Sequence, residues 1–316
     1  MTRSLAVAVD KAAGRLVQQG FAPPDARVDA GVLARALLGW DVATWLIRHQ
    51  EPAPGDFSPR LEAWIARRGR HEPVAYITGE REFFGRLFRV TPDVLIPRPE
   101  TEFVVEAALE WARLHTPSSA PDSLAPTTSP RPRAQPLGEA NRRLAAFGVL
   151  DVGTGSGCLA VTLACELPRA AVTATDVSSD ALIVARDNAA RHHVADRIAV
   201  VEGPLFADQA GPWDLIVSNP PYVPRRDYDG LAADVRDFEP RVALLGGDDG
   251  LEVIRAITRA AAGALAPAGL LVMEIGAGQG DAVRALIDET TGLSWTRVLP
   301  DLQGIPRVVV ATCCRP

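Results

Sequence analysis

From residue 147 to the end of the chain, short apolar runs alternate with longer amphipathic stretches, a pattern that few architectures can bury. The runs are FGVLDV (147–152), AVTATDV (171–177), IAVVEG (198–203), WDLIVSN (213–219), GLLVMEIG (269–276) and RVVVATC (307–313). Segments such as SSDALIVARDNAARHH and LEVIRAITRAAAGAL separate them at helical periodicity. Strand-like runs spaced by amphipathic helices call for an α/β fold, a mostly parallel, doubly wound sheet covered on both faces.

The N-terminal part has a different rhythm. Residues 1–75 repeat apolar positions at helical spacing: Leu5, Val9 and Leu16, then Val28, Val32, Leu33 and Leu37, then Trp45 and Leu46. Ser58 followed by Pro59 reads as an N-cap and first turn, opening a helix with Leu61, Trp64 and Ile65 on one face. A small helical bundle is expected there. Across 76–97 aromatic and β-branched residues surround Gly79 and Gly85, which predicts a β-hairpin linker, with Pro97 and Pro99 stiffening its exit. The third body spans 98–316. Within it, residues 116–140 (TPSSAPDSLAPTTSPRPRAQPLGEA) nearly lack large apolar side chains, so they are expected to form a disordered insert.

Charge and cysteine usage narrow the function classes. A net charge of −6 over 316 residues gives no field that would gather polyanions, so no stable nucleic-acid partner is expected. The four cysteines show neither metal-ligand nor disulfide spacing, so no metal is expected and a reducing compartment fits. No stretch reaches the roughly 18 uninterrupted apolar residues of a membrane span. A monomer in the cytoplasm, without membrane attachment, is the expectation.

Two strings carry chemistry. In LDVGTGSGCLA the first strand runs into a helix through Gly153, Thr154, Gly155, Ser156 and Gly157. Glycines at that spacing turn the chain tightly and let a ligand approach bare backbone at a helix N-terminus. The next strand ends at Asp176, placed to accept from both hydroxyls of a ribose, and the pair suggests an adenosine-type ligand. A tight turn with Asp176 as a helix cap is the plain structural alternative. Cys158 stands where a dinucleotide fingerprint wants glycine, which disfavours NAD. MEIGAGQGDAV repeats the acid-x-G-x-G-x-G spacing at Glu274, Gly276, Gly278 and Gly280, but too little chain follows for another acid-bearing strand and a catalytic turn. The cofactor is therefore assigned to the first copy.

The second string, SNPPYVP, sets Asn219 at the C-terminal end of a strand, the edge where open α/β sheets bind ligands. Pro220 and Pro221 fix φ and lack N–H groups, so the carbonyls of this turn are not consumed by a local helix. The Asn219 side-chain carbonyl, the Pro220 backbone carbonyl and the flat face of Tyr222 can together hold a planar NH₂ group. A conjugated nitrogen is a poor nucleophile, so its partner must be a strong electrophile, and a sulfonium methyl donor fits. Rate would come from alignment and from the two acceptors stabilising charge that develops on the nitrogen.

The Asn-Pro-Pro-Tyr string resembles the motif of S-adenosylmethionine-dependent amino-methyltransferases that act on DNA adenine, rRNA guanine or protein glutamine. YITGEREFFGRLFRVTPDVLIPRPETE, SNPPYVP, FEPRVALLGGDDGLEVIRAI and EIGAGQG together resemble the bacterial release factor glutamine methyltransferase family, also called HemK or PrmC, over almost the whole chain. The resemblance implies a Rossmann-like class I S-adenosylmethionine-dependent methyltransferase domain after the bundle and linker. It implies N5-methylation of the Gly-Gly-Gln glutamine of class 1 peptide chain release factors. Residues 153–157 and Asp176 would bind the donor, while Asn219, Pro220, Pro221 and Tyr222 would grip the glutamine amide beside it. Where the family carries an acidic residue and an aromatic after the third strand, this chain has Gly203, Pro204, Leu205 and Phe206, leaving backbone or apolar packing, with Leu205, for the adenine.

The rivals are an N-methyltransferase acting on an exocyclic amine of a nucleic-acid base, which needs a flipped base and a basic channel, and a non-catalytic nucleotide-binding module. Arg98, Glu100 and Glu102 could order the donor pocket, grip the protein substrate or form salt bridges between domains. Glu239 and Arg241 are expected to brace the catalytic turn, by pairing with each other or with the linker. His192 and His193 close a helix, where a cation suits the dipole. Cys158 is expected to be a core thiol.

Overall fold

Caps and glycines set the helix boundaries of the N-terminal region. In the computed structural model, which describes residues 4–115, 147–209 and 211–314, helix α1 (Leu5–Gln18) starts where the Ser4 side chain accepts from the Val7 amide. Helix α2 (Pro23–Leu38) opens on proline and stops at Gly39, which takes the left-handed conformation with φ 64°. Three shorter helices follow, α3 (Val42–Arg48), α4 (Phe57–Arg68) and α5 (Val74–Thr78). The expected insert at 116–140 lies outside the described residues.

The chain divides into two compact units, Met1–Glu80 with Leu231–Phe238, and Arg81–Gly230 with Glu239–Pro316. In the first, Leu5, Val9 and Leu16 are buried as the spacing predicts, together with Leu61 and Ile65. Val28 and Leu46, expected on the apolar face, are 63% and 67% exposed. The buried face of α2 is instead Ala26, Ala30, Leu33 and Ala34. Small side chains let α2 pack against α1 and α4 there. Helix α4 begins at Phe57, with Asp56 at its N-cap, so Ser58 and Pro59 lie inside its first turn. No single helix among the described residues is long and apolar enough to cross a membrane.

Strands β1 (Glu80–Phe83) and β2 (Arg86–Arg89) form a two-stranded sheet on either side of Gly85, which has φ 71°. Helix α6 (Glu102–His115) follows a short 3₁₀ turn at Pro99–Thr101. The second unit is built on a seven-stranded sheet of β3 (Phe147–Val152), β4 (Ala170–Asp176), β5 (Ile198–Glu202), β6 (Trp213–Ser218), β7 (Leu265–Glu274), β8 (Leu293–Pro300) and β9 (Pro306–Cys313), in the order β5-β4-β3-β6-β7-β9-β8. The first five are parallel to one another, and β9 runs antiparallel between β7 and β8. Strand β8 is not among the runs read from the sequence. Its burial alternates weakly, as fits an edge strand.

Helices α7 (Cys158–Glu166), α8 (Ser179–Arg191), α10 (Glu252–Ala264) and α11 (Gly280–Asp288) accompany the sheet. A four-residue helix, α9 (Ala233–Arg236), belongs to the first unit. Two apolar clusters fill the space above and below the strands, one built on Val149, Val172, Leu215 and Val272, the other on Leu150, Ile216, Leu271 and Met273. Successive residues of one strand thus feed opposite layers, which is why the strands read as continuous apolar runs. The order reverses between β3 and β6: β4 and β5 lie to one side, β6 and β7 to the other. A crevice beyond the carboxyl ends of the strands opens at such a switch point.

Candidate active site

That crevice is a cavity of about 380 Å³, within the size range of small-molecule sites. The loops leaving β3, β4, β5 and β6 all contribute to its wall.

The loop after β3 is the glycine turn. Gly153, Gly155 and Gly157 have φ of 71°, 53° and 80°, a region that L side chains avoid. The amides of Gly153 and Thr154 both donate to the Thr175 carbonyl at 2.9 Å, tying the turn to the end of β4. Beneath it, the buried Asp151 Oδ2 accepts from Thr154 Oγ1 at 2.6 Å and from the Ala160 amide at 3.1 Å. Burial pushes this carboxyl up to about 7. A Cβ on Gly153 or Gly155 would meet nothing within 4 Å, and both residues line the cavity with Thr154 and Ser156. Gly157 does not. A Cβ there would touch Ala185 of α8 at 3.2 Å, so its glycine serves the close packing of two helices.

Asp176 reaches the cavity from the end of β4. Its Oδ2 accepts from the Gly155 amide at 2.9 Å and its Oδ1 from the Ser178 amide at 3.0 Å. Ser178, not Asp176, is the N-cap of α8. A carboxylate has about four acceptor sites, so two stay available to a ligand. After β5, Gly203, Pro204 and Leu205 form a further stretch of wall, and the Leu205 carbonyl is held by Thr175 Oγ1 at 2.6 Å.

Asn219, Pro220 and Pro221 line the cavity from the end of β6. Asn219 Nδ2 donates to Thr101 Oγ1 at 2.9 Å, while its Oδ1 is buried and has no partner among the described residues. Tyr222 does not line the cavity. Its hydroxyl donates to Glu274 Oε1 at 3.1 Å, and burial is the main cause raising its pKa. Its carbonyl accepts from Gln279 Nε2 at 3.0 Å, and Gln279 Nε2 also reaches the Gly250 carbonyl at 3.2 Å. The second glycine segment thus holds the turn that follows β6.

Other singled-out residues have structural partners. Arg98 donates to Glu239 Oε1 at 2.5 Å, and the Ile96 amide to Glu239 Oε2 at 3.3 Å, so the Glu239 pairing is with the segment before α6. Arg241 lies over the Tyr228 ring, 4.7 Å from its centroid, and Glu102 accepts from the Phe84 amide at 2.9 Å. His192 contacts the Phe88 ring, and burial lowers its pKa, against the cation expected there. Burial pushes the Cys158 thiol up to about 12, so no thiolate forms near neutrality. Among the described residues, no group of three or more His, Cys, Asp or Glu could hold a metal ion. Among the lining residues that the sequence does not assign to the site are Thr101, Val94, Val177 and Pro240, and Glu274 stands behind Thr101 without lining the cavity.

Residues 139–234 match the model of the Methyltransferase small domain, and residues 8–79 that of the PrmC N-terminal domain. The chain is 42% identical over 304 residues to the release factor glutamine methyltransferase of Cereibacter sphaeroides, covering 96% of each chain. It is 39% identical over 313 residues to the protein of that name in Moorella thermoacetica, covering 98% of each. Among solved structures, the hMettl16 catalytic domain in complex with MAT2A 3'UTR hairpin 6 is similar at TM-score 0.50 and 14% identity over 81% of each chain, a likeness of fold alone. At such identity along nearly the full length of these relatives, the chain belongs to the release factor glutamine methyltransferase family.

Proposed function

We propose that this protein transfers the methyl group of S-adenosylmethionine to the side-chain amide nitrogen, N5, of the glutamine in the Gly-Gly-Gln motif of class 1 peptide chain release factors. The observation that carries the reading is Asn219, which lines the cavity and whose buried Oδ1 has no partner among the described residues, in a chain of this family. An unpaired buried acceptor costs free energy, on the order of 1–3 kcal/mol. A donor in the substrate, such as an amide NH₂, would remove that cost.

The donor's requirements match what the cavity offers. Gly153 and Gly155 leave open space where side chains would stand. Asp176 keeps lone pairs for ribose hydroxyls, and Leu205 offers an apolar wall for the adenine. When bound, S-adenosylmethionine supplies a sulfonium methyl, an electrophile strong enough for a neutral amide nitrogen.

Asn219 Oδ1 and the Pro220 carbonyl accept the two amide hydrogens. Held this way, the planar group loses its rotational freedom, and positive charge developing on the nitrogen meets two fixed dipoles. The proton made acidic by methylation leaves to solvent. Because Tyr222 lies outside the cavity wall, its part is to fix the loop through Glu274 and Gln279 rather than to stack on the amide. Gly157 supports the donor site through helix packing. The hairpin is shorter than the 76–97 expected, since residues 74–78 form helix α5 and only β1 and β2 pair. In this reading the helical bundle α1–α5 helps dock the release factor, the β1–β2 hairpin follows it in the chain, and the body built on the seven-stranded sheet performs the transfer. The enzyme works as a cytoplasmic monomer without a stable nucleic-acid partner.

Incubation with labelled S-adenosylmethionine and a full-length class 1 release factor, followed by mass mapping, tests the proposal. One methyl on the Gly-Gly-Gln glutamine is the expected product. Methylation of nucleic acid but not of the factor, or donor binding with no transfer to either, would overturn it.

A further inference from the structure

An asparagine amide can present either end to a cavity, and only one end accepts hydrogen bonds. The orientation of Asn219 is set by a chain of groups behind it. Thr101 Oγ1 donates its single hydrogen to Glu274 Oε2 at 2.6 Å, so it has only lone pairs to offer Asn219. The atom facing Thr101 must then be a donor, and it is Nδ2, at 2.9 Å. Oδ1 is the end left without a partner among the described residues, on a residue that lines the cavity. We propose, resting on the reading of Asn219 as the acceptor for the substrate amide, that Glu274 acting through the Thr101 hydroxyl is a positioning residue that fixes which end of Asn219 faces the substrate.

The geometry gives the device a direction. An ionised Glu274 accepts only, from Thr101 on one oxygen and from the Tyr222 hydroxyl on the other. A protonated Glu274 can donate to Thr101 instead. That frees the threonine hydrogen to point at Asn219 and favours the flipped amide, whose NH₂ would then oppose the NH₂ of the substrate. Glu274 is 1% exposed, and burial pushes its carboxyl up to about 7. Glu100, beside Thr101, adds a like charge, and Arg307 on β9 opposes it. From α7, Cys158 feels the Glu274 charge, and Arg98 and Arg307 act on Tyr222. Arg307 is itself paired with Asp301 at 3.1 Å. The device is therefore set to switch near neutrality.

Thr101→Val, Thr101→Ser and Glu274→Gln separate positioning from folding. Thr101→Val should lower kcat/KM for the release factor by ~10- to 100-fold while S-adenosylmethionine affinity stays within about 2-fold, and Thr101→Ser should restore most of the loss. In Glu274→Gln the side-chain carbonyl accepts from the Tyr222 hydroxyl and the NH₂ turns toward Thr101, as the protonated carboxyl would. This variant should therefore lose activity to an extent similar to Thr101→Val at every pH from about 6 to 9, and should lack the acid limb expected of the wild type near pH 7. A substrate-free readout accompanies these: the Asn219 side-chain NH₂ resonance should titrate near pH 7 in the wild type and not in Glu274→Gln. A Thr101→Val enzyme as active as wild type, or an acid limb and titration unchanged in Glu274→Gln, would overturn the inference. A wild type that transfers no methyl to release factors would count against the proposed function alone, since the resonance still decides the orientation of Asn219.

Discussion

The chain contains the same acid-x-G-x-G-x-G spacing twice, at 151–157 and 274–280, and the two copies do different things. In the first, the space in front of Gly153 and Gly155 is open and belongs to the cavity. In the second, a Cβ on Gly276 would meet Gln279 Oε1 at 2.9 Å and the Tyr222 ring at 3.2 Å. That space is already filled, by Gln279 of the same segment and by Tyr222 of the loop that carries Asn219. Both copies follow a parallel strand at its carboxyl end, but β3 borders the switch point and β7 adjoins the antiparallel β9. Spacing therefore identifies a tight turn, and what occupies the room in front of it decides between a ligand site and a brace.

The sharpest separation is expected at Asn219, on the loop the second copy holds. Asn219→Ala should reduce kcat by about 10²- to 10³-fold, as removal of a preorganised polar group in a transition-state site does. Donor affinity by calorimetry should change by less than about 3-fold; a parallel collapse of donor binding would merge the two roles. Next comes Asp176→Ala. It removes charged acceptors from ligand and turn alike, and should weaken S-adenosylmethionine binding by ~10- to 100-fold. Unchanged affinity would move the ribose away from the first copy.

A matched pair of glycine substitutions compares the copies directly. Gly155 and Gly278 have φ of 53° and 83°, and a Cβ on either meets nothing within 4 Å. Alanine at each should cost a similar ~1–2 kcal/mol of stability through backbone strain. Only Gly155→Ala should also weaken donor binding, by about 10-fold, the effect of ~1.4 kcal/mol. Equal donor affinities in the two variants would erase the distinction.

One further effect, on stability rather than on donor binding, is shared by the copies. The acids that open them, Asp151 and Glu274, are both pushed up to about 7 by burial, from 3.8 and 4.5. A carboxyl raised in the folded state favours folding below its unfolded pKa, and that contribution is lost as pH rises through about 7. Stability should therefore fall between about pH 4 and 7, by at most about 1.4 kcal/mol per pH unit for each group, and level off above. Asp151→Asn and Glu274→Gln should each flatten the dependence of Tm on pH; a slope unchanged in both would place the titration elsewhere.

The parallel strands, the glycine turn and the Asn-Pro-Pro turn were legible because each is dictated locally, by apolar runs, by positive φ and by missing N–H groups. Strand β8 was not, since an edge strand with weak burial carries little apolar pattern. The face of α2 was misread at Val28 because alanines supply the close approach and leave the larger side chain outside. Thr101 and Glu274 were hidden for another reason. They lie 118 residues before Asn219 and 52 residues after Tyr222, and nothing in their own neighbourhoods announces the contacts. A threonine among prolines and acids, and an acid opening a second glycine turn, gain meaning only when the sheet brings β6 and β7 side by side.

A crystal structure of the protein with S-adenosylhomocysteine and a Gly-Gly-Gln peptide tests the central claim most directly. The donor should lie against Gly153, Gly155 and Asp176, with Asn219 Oδ1 within hydrogen-bond distance of the glutamine NH₂ and Nδ2 still on Thr101. A donor seated against the second glycine segment, or an Asn219 carbonyl turned toward Thr101 in the complex, would contradict it.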